Sequence, residues 1–265
     1  MRIFSVALLL GAFVLARPAS AVAESSGWTR GPAERLPSTR RLIFEQQHWS
    51  DAARDREAIV DVVRFEAADA VLRVVDQGVA GEQDLAGAMA GAGATAGING
   101  GYFHPDRQPL GLVISGGVTI HPEERARLLS GVLLVFANGS MRLQRVHEPR
   151  PKLDLREALQ AGPFLVDAGR PVAGLDASRA ARRSVLATDG AGRWAILIID
   201  RATLAEAAGL LATPGVLGDG IQIQRALNLD GGSSTGLWVK GEAGAAPRYQ
   251  PEFGTVRNFL GVFPR

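Results

Sequence analysis

The chain has 265 residues, no cysteine, and 29 basic against 27 acidic side chains. It is therefore long enough for one well-buried domain, yet has no disulfide, thiolate metal site or thiol nucleophile. Its pI of about 9.5 comes from arginine rather than from excess charge, because Lys152 and Lys240 are the only lysines. With no basic run interleaved with aromatics, nucleic acid is excluded as a partner.

The N-terminus predicts export. Arg2 precedes an apolar run, Ile3–Ala16, with small residues at Ala19, Ala21 and Ala23, the pattern of a cleaved signal peptide over 1–23. The run is shorter than the roughly 20 residues a membrane span needs. Cleavage would remove Arg2 and Arg17 and leave 27 basic and 27 acidic residues, with no remaining membrane attachment. Residues 24–45 read as a polar, poorly ordered leader, and 46–265 as the functional domain.

Within that domain, 58–65 and 70–76 carry β-branched clusters and predict a strand pair. Residues 82–92 are alanine-rich and predict a short helix. Residues 95–103 predict a strand that breaks on the glycines of GINGGYF. Hairpins are expected over 111–120, turning at Gly116-Gly117, and over 131–146, turning at Asn138-Gly139. Residues 155–160 read as a brief helix, and 161–172 as strand, glycine turn and strand. A third hairpin is predicted over 183–200 and a helix over 202–211. Strands follow at 226–232, 237–239 and 256–263. The sum is an α+β domain of mostly antiparallel or mixed sheet with a few short helices.

Candidate chemistry gathers where glycine meets polar residues at strand ends. In 97–105, GINGGYFHP, Asn99 can donate and accept, Tyr102 can donate, and His104 is the most plausible titratable partner. In 228–235, NLDGGSST, Asp230 precedes Gly231-Gly232, whose amides would form an anion-binding concavity. A turn in which Asp230 caps its own backbone accounts for that local pattern equally well. Arg182-Arg183 brings paired positive charge to a strand start, suited to one phosphate. No GxSxG, HExxH, Walker or dinucleotide fingerprint occurs.

The order GINGGYF, PLGLVISGG, QAGPFLVDAG, RSVLATDGAGR, LNLDGGSST resembles the phosphodiester glycosidase family over Ile59–Phe263. The resemblance places Asn99, Gly100, Gly101 and Phe103 in the first family loop, and Gly162 and Pro163 in the second. Arg183 falls at the family arginine, and Asn228, Asp230, Gly231, Gly232 and Ser234 in the last loop. Ser233, Ser184 and Ala187 depart from the usual residues. The implied activity is hydrolysis of a sugar-1-phosphodiester at the anomeric C–O bond, acting on a phosphodiester-linked glycan outside the cytoplasm. Asp230, His104 and Asn99 would then be the catalytic group. Arg183, Gly100, Gly101, Tyr102, Gly162, Gly231, Gly232 and Ser234 would hold substrate. Asp167 and Asp106 are candidates for a second carboxylate. No cofactor is expected beyond a structural cation such as Ca²⁺. Two other readings stay open at this point: a non-catalytic binder of anionic glycans and a metal-dependent phosphodiesterase.

Overall fold

The computed structural model describes residues 27–36, 38, 41–242 and 245–265. The predicted signal peptide lies outside them. Three antiparallel sheets make up most of the fold. The first runs, edge to edge, through Trp28–Leu36 (β1), Ile43–Asp51 (β2), Arg56–Glu66 (β3), Arg193–Ala202 (β14), Ala181–Thr188 (β13), Arg225–Asn228 (β15), Phe164–Asp167 (β11) and Arg170–Pro171 (β12). The second comprises Val118–His121 (β7), Val113–Ser115 (β6), Leu155–Ala161 (β10), Gly131–Phe136 (β8) and Met141–Arg145 (β9). The third comprises Arg248–Gln250 (β17), Leu237–Val239 (β16), Ala96–Asn99 (β5), Asn258–Pro264 (β18) and Ala70–Asp76 (β4).

All three sheets face a shared core. Val63, Ile196, Ile198 and Leu186 of the first sheet meet Leu133 and Leu159 of the second and Ile98 and Leu260 of the third. Each sheet's other face is also covered. Helix α2 (Leu204–Ala212) packs on β11 and β14 of the first sheet, its Ala207, Leu210 and Leu211 joining Leu165, Val166 and Leu197 in one buried cluster. Helix α1 (Leu85–Ala92) packs Leu85 and Met89 against Trp238 and Phe259 of the third. Burial on both faces explains why the central strands read as continuous apolar runs rather than alternating ones.

The helices have capped ends. Asp84 accepts the Gly87 N–H at the start of α1, and Gly93 closes it in the left-handed conformation. Thr203 and Glu206 form a capping box at α2. With only these two α-helices among the described residues, the fold is predominantly β, and α+β overstates the helical share.

Three local expectations change. Residues 155–160 are not a helix but β10, flanked by β8 and β6. Their Leu, Glu, Ala and Gln are good helix formers, but tertiary pairing overrides propensity. Buried Glu157 and Gln160 are satisfied across strands: Glu157 accepts from Gly116 N–H and Gln160 accepts from Leu112 N–H. Residues 58–65 and 70–76 are both strands but do not pair with each other. The chain turns at Ala67–Asp69 and passes from the first sheet to the third, where β4 pairs with β18. The polar stretch expected as a leader carries β1, an edge strand bulged between Arg30 and Ala33. An edge position accommodates Pro32 because its missing N–H removes no central ladder bond.

Candidate active site

One end of β15 and β13 collects the predicted loops. Asn99, at the end of β5, is fully buried and acts as a bracket. Its Nδ2 donates to the Asp230 carbonyl (2.8 Å), and its Oδ1 accepts from Ser184 Oγ (2.6 Å) and the Gly236 N–H (3.3 Å). Ser184 is also within hydrogen-bond distance of Thr235 Oγ1, at 3.2 Å. Asn99 therefore sets the position of the Asp230 loop from beneath rather than facing a ligand.

Tyr102 links the other loops. Its hydroxyl is 2.6 Å from the Gly162 carbonyl and 3.1 Å from the Leu229 carbonyl, and accepts from Asn228 Nδ2 at 2.8 Å. Burial, and then the Asp230 charge, raise its pKa well above the usual tyrosine value. Gly162 leaves no space for a side chain, since a Cβ there would sit 1.9 Å from the Leu128 carbonyl.

The amides of Gly100 and Gly101, expected to lie at the substrate, are both engaged within the protein. Gly100 N–H donates to the Asn258 carbonyl and Gly101 N–H to Asn258 Oδ1, each at 2.9 Å. These glycines permit close backbone packing. The amides left over are in the last loop. Gly232 and Ser233 N–H groups have no hydrogen-bond partner among the described residues. Gly232 takes a left-handed φ of 64° with open space where a Cβ would point.

Asp230 is half-buried, and its Oδ1 accepts the Gly231 N–H at 2.9 Å. Burial raises its pKa, against the opposing hydrogen bonds from the Ser234 hydroxyl and Gly231 N–H. No cation pairs with it among the described residues. Arg183 is its complement. Its Nε donates to the Ala202 carbonyl (2.8 Å) and Nη2 to the Arg179 carbonyl, and it forms no ion pair among the described residues. Burial lowers its pKa, partly offset by Tyr102 and then Asp176. Both charges act on the Tyr102 hydroxyl, and neither is ion-paired among the described residues.

The remaining candidates stand elsewhere. His104 is exposed in the turn after Phe103, and its ring has no hydrogen bond or ion pair among the described residues. Asp106 is exposed and caps the Gln108 N–H. Asp167 pairs with Arg145 (2.8 Å) and Arg225 (3.6 Å) at the far end of β15. No group of three or more histidines, aspartates or glutamates is placed to hold a metal among the described residues. Asn258 and Thr235 are site residues the motif reading did not single out. Asn258 lies 157 positions from the amide it anchors, and no local spacing announces such a contact.

An unpaired half-buried acid and an unpaired guanidinium, both acting on Tyr102 at the loop end of antiparallel strands, mark a candidate active site. The sequence profile of the phosphodiester glycosidase family (NAGPA) matches residues 92–263, and the chain belongs to that family. The chain is a phosphodiester glycosidase-like hydrolase. No curated protein sequence matches it.

Solved structures share the fold at low identity. The catalytic domain of zebrafish N-acetylglucosamine-1-phosphodiester alpha-N-acetylglucosaminidase, auto-inhibited by a pro-peptide, aligns with TM-score 0.64 and 15% identity over 90% of this chain and 88% of that one. A hypothetical protein from Synechocystis aligns with TM-score 0.58 and 18% identity over 89% of this chain. The present chain spans 64% of that protein's length. A Burkholderia pseudomallei protein described as exported aligns with TM-score 0.54 and 16% identity, over 79% of this chain and 75% of that chain.

Proposed function

We propose that this hydrolase cleaves a sugar-1-phosphodiester at the anomeric C–O bond, with a phosphate monoester as the leaving group. The observation that carries the reading is that Asp230 and Arg183, neither of them ion-paired among the described residues, both exert their charge on the Tyr102 hydroxyl. A phosphodiester carries the anion that Arg183 lacks, and its anomeric carbon is the centre that a carboxylate serves.

In this reading the phosphate sits between Arg183 and the free amides of Gly232 and Ser233. Charge builds on the departing oxygen as the bond breaks, and these donors stabilise it more in the transition state than in the ground state. Asp230 takes a proton from the water whose oxygen attacks the anomeric carbon. The electron pair of the broken C–O bond leaves on the phosphate, so strong general-acid help is not required. Ser234 and Gly231 N–H hold the carboxylate in place, Asn99 fixes its loop, and Tyr102 locks that loop to Gly162. His104 has no assigned step, and no cofactor enters the proposed reaction.

We further infer action outside the cytoplasm on envelope or extracellular glycans. This rests on the N-terminal signal pattern and on the likeness to a protein described as exported. Among the described residues no helix is long and apolar enough to cross a membrane.

The test is to screen sugar-1-phosphodiesters with purified protein in H₂¹⁸O. Label in the released sugar is the expected result. Label in the phosphate would mean P–O cleavage and overturn the reading, as would the absence of turnover across the screen.

A further inference from the structure

Residues 250–253 run beside the Asp230 loop and are fastened at every position. Gln250 Nε2 donates to buried Asp61 (2.6 Å), and the Pro251 carbonyl accepts from Arg182 Nη1 (3.2 Å). Glu252 accepts the Leu85 N–H (2.7 Å) and the Tyr249 hydroxyl (3.0 Å). Phe253 N–H donates to the Ser233 carbonyl at 2.8 Å. Ser233 lies in the Asp230 loop, three residues after the acid.

Phe253 nevertheless stays 78% exposed. A ring left in water forgoes the gain of burying its apolar surface, and here a pinned backbone prevents it from folding inward. The Arg182 guanidinium covers one side of the ring at 5.6 Å from its centroid, which orients it and leaves the other face open. Arg182 is itself tied to the site, because its carbonyl lies 3.0 Å from where a Cβ on Gly231 would stand.

From this geometry we propose that Phe253, oriented by Arg182, is a stacking platform for the aglycone, and that the aglycone is a pyranose. The inference rests on the phosphodiester reading of the site. With the anomeric carbon at half-buried Asp230 and the phosphate at Arg183 and the Gly232 and Ser233 amides, the group beyond the phosphate points outward. Ser233 is the next residue on that path, and Phe253 is bonded to it. The C–H face of a pyranose matches an open aromatic face, while its hydroxyl edge stays in water. Phe253 is thus a specificity-determining residue, not a catalytic one.

The experiment uses two phosphodiesters with the glycon identified by the screen, one with a methyl aglycone and one with a glucosyl aglycone. For Phe253→Ala, KM for the glucosyl substrate is expected to rise roughly tenfold. Its kcat, its methyl-substrate kinetics and its thermal midpoint should remain close to those of the wild type, and Phe253→Tyr should restore KM. Equal changes on both substrates, or no change on either while the wild type turns over both, would overturn the inference and leave the phosphodiester reading standing. Failure of the wild type on both substrates would overturn that reading and this inference with it.

Discussion

The two ends of β15 treat charge in opposite ways. At the Arg225 end the acids and bases are paired with one another. The Arg225 guanidinium forks onto both Glu148 carboxylate oxygens at 2.8 and 2.7 Å, and Asp167 bridges Arg225 and Arg145. At the Asn228 end, three residues or about 10 Å along the strand, Asp230 and Arg183 have hydrogen bonds but no ion pair among the described residues. Titration follows the same division. Arg225 pulls Glu148 below the usual carboxylate range, while burial pushes Asp230 above it. Paired charges hold the sheet together. In the proposed reading, Asp230 and Arg183 are left unpaired for an anionic substrate.

Substitutions can break this contrast. The largest effect is expected for Asp230→Asn, a loss of roughly 10²–10⁴ in kcat measured on a phosphodiester. Next is Arg183→Ala, with kcat/KM falling roughly 10–100-fold on the phosphodiester. A neutral aryl glycoside of the same sugar should lose far less, and equal losses would make Arg183 structural. Arg225→Ala should leave kinetics unchanged and lower stability by about 1 kcal/mol in chemical denaturation, since its ion pair is partly exposed.

The smallest effects distinguish the two ends by pH. A raised folded-state pKa for Asp230 means stability that is fully present below its unfolded pKa and lost as pH rises through the folded value. Asp230→Asn should therefore match the wild type in acid and exceed it near neutrality in denaturation midpoints. Glu148 has the opposite sign. Its contribution is present above the unfolded pKa and lost as pH falls through the depressed folded value, so the Arg225→Ala deficit should shrink in acid.

The sequence made the site's address clearer than its wiring. Glycine-punctuated strand ends marked the loops around Tyr102, Gly162 and Asp230, because turns require residues that the chain cannot disguise. Hairpins at Gly116-Gly117 and Asn138-Gly139 were legible for the same reason. The roles of Asn99, Gly100 and Gly101 were not, because they depend on Ser184 and Asn258 in distant strands. Strand β10 was hidden by helix-forming residues whose polar groups are satisfied across the sheets. The split of β3 and β4 between two sheets depends on β14 and β18, far along the chain.

The most direct test compares Asp230→Asn with Asp167→Asn on one phosphodiester, alongside thermal unfolding of both variants. The account predicts that Asp230→Asn loses turnover with a thermal midpoint no lower than the wild type's, while Asp167→Asn keeps turnover and melts earlier. A comparable loss of turnover in both, or full activity in Asp230→Asn, would contradict it.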